Sequence, residues 1–163
     1  MNKTITLIWK IIRAGAWMPA AIFGTHILMS RVFHTYAAWP DVDIIMHFAG
    51  GFAIAFFVSG CFRALPRGEV KRSRVVLLEL LLIGSLTATI AVFWEFREFT
   101  NDQIFGTNSQ ISLANTMQDL AVGILGSGLF ILVRAWQLRA GFHKKYQRGL
   151  SLSSDRVVTS CAS

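Results

Sequence analysis

Cysteine is nearly absent: 163 residues hold two, Cys61 and Cys161. Two thiols that far apart make neither a disulfide framework nor a metal-binding cysteine pair. Proline is scarce too, with three, at positions 19, 40 and 66, so long stretches can be helical without interruption. Charged residues make up only 15%, against about 25% in an ordinary soluble domain. So few charges cover a water-facing surface poorly. Two catalytic signatures are missing as well. No pair of histidines brackets a glutamate in the zinc-protease spacing, and no nucleophile elbow is present.

What the chain has is apolar length. Apolar residues make up 53% of it, gathered in blocks. Residues 11–32, 44–62, 75–94 and 111–133 each approach or exceed the about 20 residues that a helix needs to cross a bilayer. The sequence therefore reads as all-α, a polytopic membrane protein built as a bundle of four transmembrane helices. Arg13, Pro19 and His26 interrupt the first, and Asn115, Gln118 and Asp119 lie near the start of the fourth. The first run is long, and its small-residue triplet, Ala14 to Ala16, comes too early for a signal-peptidase site, so it is expected to be retained. The membrane domain is expected over 1–148. The serine-rich segment "GLSLSSDRVVTSCAS", 149–163, is expected to be a disordered cytoplasmic tail.

The net charge of +7 is unevenly placed. Lys3, Lys10 and Arg13 open the chain. Arg63, Arg67, Lys71, Arg72 and Arg74 join the second and third helices. Arg134, Arg139, Lys144, Lys145, Arg148 and Arg156 follow the fourth. Of 16 basic residues, only Arg31 and Arg97 fall on the other face. This is the positive-inside pattern, with both termini cytoplasmic. The expected partner is the lipid bilayer, with anionic head groups touching the basic clusters. Nucleic acid is not expected as a partner, because no groove-reading or base-stacking motif accompanies the charge. Nothing in the sequence specifies an oligomeric state.

Acidic residues collect at the opposite level: Asp41, Asp43, Glu95, Glu98, Asp102 and Asp119, six of nine. They fall near loops expected at about 33–43 and 95–110. Carboxylates cost about 2.5–3.5 kcal/mol each at mid-helix on insertion scales, and less near an interface. Asp43 and His47 are four apart and share a helix face. Gly84, Thr87, Ala88, Ala91, Glu95, Glu98 and Asp102 form a stripe on the third helix, and Asn115, Asp119, Gly123 and Gly126 one on the fourth. Small residues let membrane helices approach closely, so the polar ends of these stripes are expected to converge. Ser112 or Asn115 is expected to cap the fourth helix. Arg97 is expected to snorkel or to pair with Asp102, Glu79 to pair with loop arginines, and Trp94, Trp39 and Tyr36 to be ordinary or interfacial aromatics.

The candidate site is therefore His47, Glu95, Glu98, Asn115 and Asp119, with Asp43 at its rim. Three readings stay open. His47, Glu95, Glu98 and Asp119 suit a divalent metal ion such as zinc, iron or manganese, although the Glu-x-x-His pairing of di-iron bundles is absent. The same residues suit a polar network that pins helix ends. They also suit a proton relay or ion path, as in a small transporter subunit, for which the other half of the bundle offers only Glu79 and a few hydroxyls. A bound metal could activate water against a lipid-linked ester, with a carboxylate as general base.

Four segments carry a family resemblance: "DIIMHFAGGF" (43–52), "WEFREF" (94–99), "GT" (106–107) and "NTMQDLAVGILG" (115–126). Together they resemble the YjdF-like bacterial inner-membrane proteins and, more loosely, the VanZ-like proteins named for teicoplanin resistance. Asp43, His47, Trp94, Glu95, Glu98, Thr116 and Asp119 match that pattern, while Asn115 stands where an aspartate is usual. The resemblance covers about residues 43–130. It implies a multi-pass protein of the bacterial inner (cytoplasmic) membrane with a role at the cell envelope, affecting how a lipoglycopeptide or a lipid-linked precursor meets the surface, with envelope lipids or lipid-linked molecules as partners.

Overall fold

The computed structural model describes the backbone of residues 3–65 and 72–161, and side chains within 4–36, 38–65 and 75–139. Arg67 and Lys71 lie outside the described residues, and so do the side chains of Arg72, Arg74, Lys144, Lys145, Arg148 and Arg156. Among the described residues all regular structure is helical. Four helices are long and apolar enough to cross a membrane. They are α1 (Thr4–Val32), α2 (Asp41–Ala64), α3 (Arg72–Phe105) and α4 (Leu113–Cys161). One compact unit, Met1–Ile131, contains the bundle; the other is Leu132–Ser163.

Each boundary has a local cause. The α1 helix breaks at Gly15 within a π-helical turn, Ile12–Ala16. Pro19 then falls in the first turn of the next segment, Trp17–Ile27, where its missing N–H would have had no partner anyway. Pro40 immediately precedes α2, and Pro66 follows its end by two residues. The backbone reverses between α1 and α2 through His34, which sits in the left-handed region at φ 49°. Ser112 accepts the Asn115 N–H at 3.2 Å, so the serine is the cap.

Two helices run further than their apolar blocks. The α3 helix was expected to end near residue 94 and continues to Phe105. Glu95 and Glu98 turn into the bundle and are only 5% and 7% exposed, so neither forces the backbone out of the apolar medium. Asp102, one turn on, holds the following loop. The backbone of the last helix is described as far as Cys161. No proline interrupts it.

The burial pattern is inverted relative to a soluble bundle. Large apolar side chains such as Trp17, Phe23, Leu81, Phe93, Phe96 and Leu125 are exposed. The buried set includes Ser59, Glu79, Thr87, Glu95, Glu98, Asp119 and Ser127 beside Ala53, Ala55, Val58, Ile83 and Phe130. In water that arrangement would be ruinous. In lipid it is expected, since polar groups must find partners inside the protein and apolar ones lose nothing by facing outward. The apolar core lies midway along α2, α3 and α4, where Ala55, Val58, Ile83 and Phe130 pack with Phe52 and Phe56. Beyond it, toward the Arg63 end, Ser59 Oγ donates to Glu79 Oε1 at 2.8 Å and ties α2 to α3. Glu79 is thus bound within the bundle.

Backbones touch where side chains are missing. A Cβ on Gly51 would collide with the carbonyl oxygen of Gly123, and one on Gly126 with that of Phe48, so α2 and α4 meet backbone to backbone. Gly60 meets the Ala14 carbonyl in the same way and fixes α1 on α2. Gly50, adjacent in sequence, would meet nothing within 4 Å. Gly51→Ala should therefore cost about 1–3 kcal/mol through overpacking and lower the detergent melting temperature. Gly50→Ala should leave it nearly unchanged. Thermal unfolding of the two variants side by side checks the register of α2 on α4.

Candidate functional site

The glycine contact places the polar groups. A Cβ on Gly123 would sit 3.7 Å from the His47 carbonyl oxygen and 3.9 Å from Ala91 Cβ, so α2, α3 and α4 converge at this depth. Four residues from each contact point toward the Asp43 end lie the next groups on the same faces. They are His47 above Gly51, Asp119 above Gly123 and Glu95 above Ala91. The α2 and α4 helices start at that end and α3 finishes there, so all three stripes deliver their ionisable residues to one level.

Five side chains meet. His47 Nε2 lies 3.6 Å from Asp43 Oδ1, and His47 Nδ1 lies 3.9 Å from Glu95 Oε1. Asp43, His47 and Asp119 bring ligand atoms within 4.8 Å of one another, and so do His47, Glu95 and Glu98. The two sets share the imidazole. Glu95 Oε1 and Asp119 Oδ1 are buried without a hydrogen-bond partner among the described residues. Such atoms are costly in a medium of low dielectric.

A surrounding layer fixes these groups. Trp94 Nε1 donates to Glu98 Oε1 at 2.9 Å. Arg97 approaches the same oxygen at 3.6 Å and lies over the Trp94 ring, 3.9 Å from its centroid. Arg97 therefore serves Glu98 and Trp94, where the sequence suggested Asp102. Gln110 Nε2 donates to Glu95 Oε2 at 3.0 Å and to the Glu95 carbonyl at 2.9 Å. Asp102 accepts from the Thr107 hydroxyl and from the N–H groups of Ser109 and Gln110 at 2.9 and 2.8 Å. The segment after α3 is thus folded back onto its own helix end, with Gln110 reaching the cluster. From α1, His26 Nδ1 shares a 2.8 Å hydrogen bond with the Tyr36 hydroxyl and packs edge-on against Trp94. Burial, then the charges of Asp43 and Glu98, push the Tyr36 phenol up to about 12. It remains a hydroxyl at neutral pH.

Two cavities adjoin the cluster. The smaller, about 270 Å³, is mostly apolar and is bounded by α1, α2 and α3, with Gly123 of α4. The larger, about 1200 Å³, has mixed polar and apolar walls and lies toward the loops. Phe23, His26 and Asp43 border both.

The structure brings together His47, Glu95, Glu98 and Asp119, and it moves Asp43 from the rim into one of the two ligand groups. Asn115 is set apart; it lines the larger cavity and belongs to neither group. The sequence reading missed the roles of Trp94, Gln110, Tyr36 and His26. For Trp94 a signal existed, because it stands four residues before Glu98. Nothing local marks Gln110, which lies 15 residues from its partner. Removing the Asp102 carboxylate deletes three hydrogen bonds to a charged acceptor, each worth about 1.5–3 kcal/mol. Asp102→Ala should therefore speed proteinase K cleavage within 106–112 by at least about tenfold, with the helical circular dichroism unchanged.

Residues 5–140 match the profile of a family described as predicted membrane protein (DUF2238). An uncharacterized protein of Thermotoga maritima is 31% identical over 115 residues, which is 70% of this chain and 57% of that relative. The chain therefore spans little more than half the length of that relative. No solved structure matches.

Proposed function

The chain belongs to the DUF2238 family of predicted membrane proteins, and on that footing we propose that its carboxylate end is a divalent-cation site. The carrying observation is the pair of buried carboxylate oxygens, Glu95 Oε1 and Asp119 Oδ1, that have no hydrogen-bond partner among the described residues and belong to two groups sharing the His47 imidazole. Four carboxylates meet His47 and one arginine, Arg97, in this cluster. A divalent cation would supply the missing positive charge and occupy the free oxygens. Imidazole with carboxylates suits zinc, manganese or iron(II). Either Asp43, His47 and Asp119 or His47, Glu95 and Glu98 would hold the ion.

The placement of the site supports a role at the envelope. The charge distribution favours both termini in the cytoplasm of a bacterial inner membrane, and on that reading the cluster lies under the outer leaflet. Adjoining cavities, one with mixed walls and one mostly apolar, suit an amphipathic envelope molecule, as the YjdF-like and VanZ-like resemblance implies. A bound cation could polarise an ester or phosphoryl oxygen, or activate water there. An ion path has less support, because Ile83, Ala55 and Phe130 fill the bundle between Thr87 and Glu79.

The competing reading is a packing scaffold. Its support is the bonding of Trp94 to Glu98 and of Gln110 to Glu95. Metal analysis separates the two. Protein purified in detergent and loaded with Mn²⁺ or Zn²⁺ should retain about one ion per chain. Glu95→Gln and Asp119→Asn should lose it while staying monodisperse. Wild type that takes up no ion, with variants that unfold at lower temperature, would establish the scaffold instead. Orientation has its own check. A periplasm-active reporter fused at Gly106 should be active, and silence there would move the site to the cytoplasmic face.

A further inference from the structure

Fourteen of the 16 basic residues are expected on the face opposite the cluster; Arg31 and Arg97 are the exceptions. Arginine is disfavoured on the translocated side of short loops and helix ends, so both exceptions call for a reason. They come from different helices, Arg31 from the terminal π-helical turn of α1, Leu28–Val32, and Arg97 from α3. Both line the same larger cavity. The Arg97 guanidinium lies over the ring of Trp94, 3.9 Å from its centroid. Asn101, Asn108 and Asn115 add amide donors to the same walls. Directly beneath, the smaller cavity is walled by Ile22, Phe23, Met46, Ile54, Ile90 and Ala91. Gly50 leaves its wall open, since a Cβ there would meet nothing within 4 Å.

We propose that this double cavity binds a lipid carrying a phosphate head group, with the phosphate between Arg31 and Arg97 and its chain entering the smaller cavity. Guanidinium groups suit phosphate because two parallel N–H donors match two oxygens. The apolar walls suit a chain and offer it little else. The inference rests on the cation site above in one respect: without an ion, the four carboxylates beside the phosphate would repel it. Free phosphate shares the head-group chemistry, and the chain distinguishes the two.

The test uses the full chain in phosphatidylcholine nanodiscs with Mn²⁺, reading equilibrium binding of radiolabelled oleoyl lysophosphatidic acid. Unlabelled lysophosphatidic acid should compete at least about tenfold better than oleoyl lysophosphatidylcholine or inorganic phosphate. Arg31→Ala, an exposed position whose loss should spare the fold, should weaken binding by about tenfold. Gly50→Leu should fill the smaller cavity, remove the advantage of the chain and leave Mn²⁺ uptake unchanged. Equal competition by lysophosphatidylcholine would overturn head-group recognition. Equal competition by inorganic phosphate, or a silent Gly50→Leu, would overturn the lipid assignment. Mn²⁺ uptake, read separately by electron paramagnetic resonance, tells the two proposals apart. A chain that takes up Mn²⁺ and no lysophosphatidic acid defeats only the lipid assignment, and one that takes up no Mn²⁺ defeats the cation site.

Discussion

The arrangement depends on the contact between α2 and α4 at Gly51 and Gly123, where two backbones meet with no side chain between them. A bilayer supplies no hydrophobic drive to press helices together, so close packing must do that work. Once the two glycines touch, little freedom of register remains. His47 and Asp119, each four residues away on the same faces, must then lie side by side. Ala91 brings α3 to the same depth, and Glu95 follows. The polar cluster is thus a consequence of an apolar contact one turn beneath it.

That contact also explains how a membrane helix carries several carboxylates. Exposed to lipid, Glu95, Glu98 and Asp119 would oppose insertion. Directed inward, they meet Trp94, Gln110, Arg97 and His47. Partial satisfaction is the informative part. Two of its oxygens have no hydrogen bond among the described residues, and an unpaired polar atom is costly in low dielectric. At the other end, Ser59 and Glu79 show a polar pair placed within helix packing.

Much of the fold was legible because it follows from local physics. Apolar runs long enough for a bilayer mark four helices, and the spacing of Asp43 and His47, or of Glu95 and Ala91, marks shared faces. Ends were less legible. The third helix passes residue 94 because inward-facing glutamates do not meet lipid, a fact that depends on neighbouring helices. Arg97 could have reached several carboxylates by spacing, and the Trp94 ring selected Glu98. Gln110 reaches Glu95 only because Asp102 folds the loop back, and three bonds at that distance in sequence leave no periodic trace.

By itself the sequence determined the class of protein, the four helices, the charge asymmetry and the residues available for a site. Each of these depends on composition or on period along one helix, which local chemistry settles. Tertiary structure decided which carboxylates face one imidazole, that Asp43 joins them and Asn115 does not, and that two arginines from separate helices line one cavity. Those outcomes depend on the rotation and depth of each helix against the others, set by where glycine lets backbones touch.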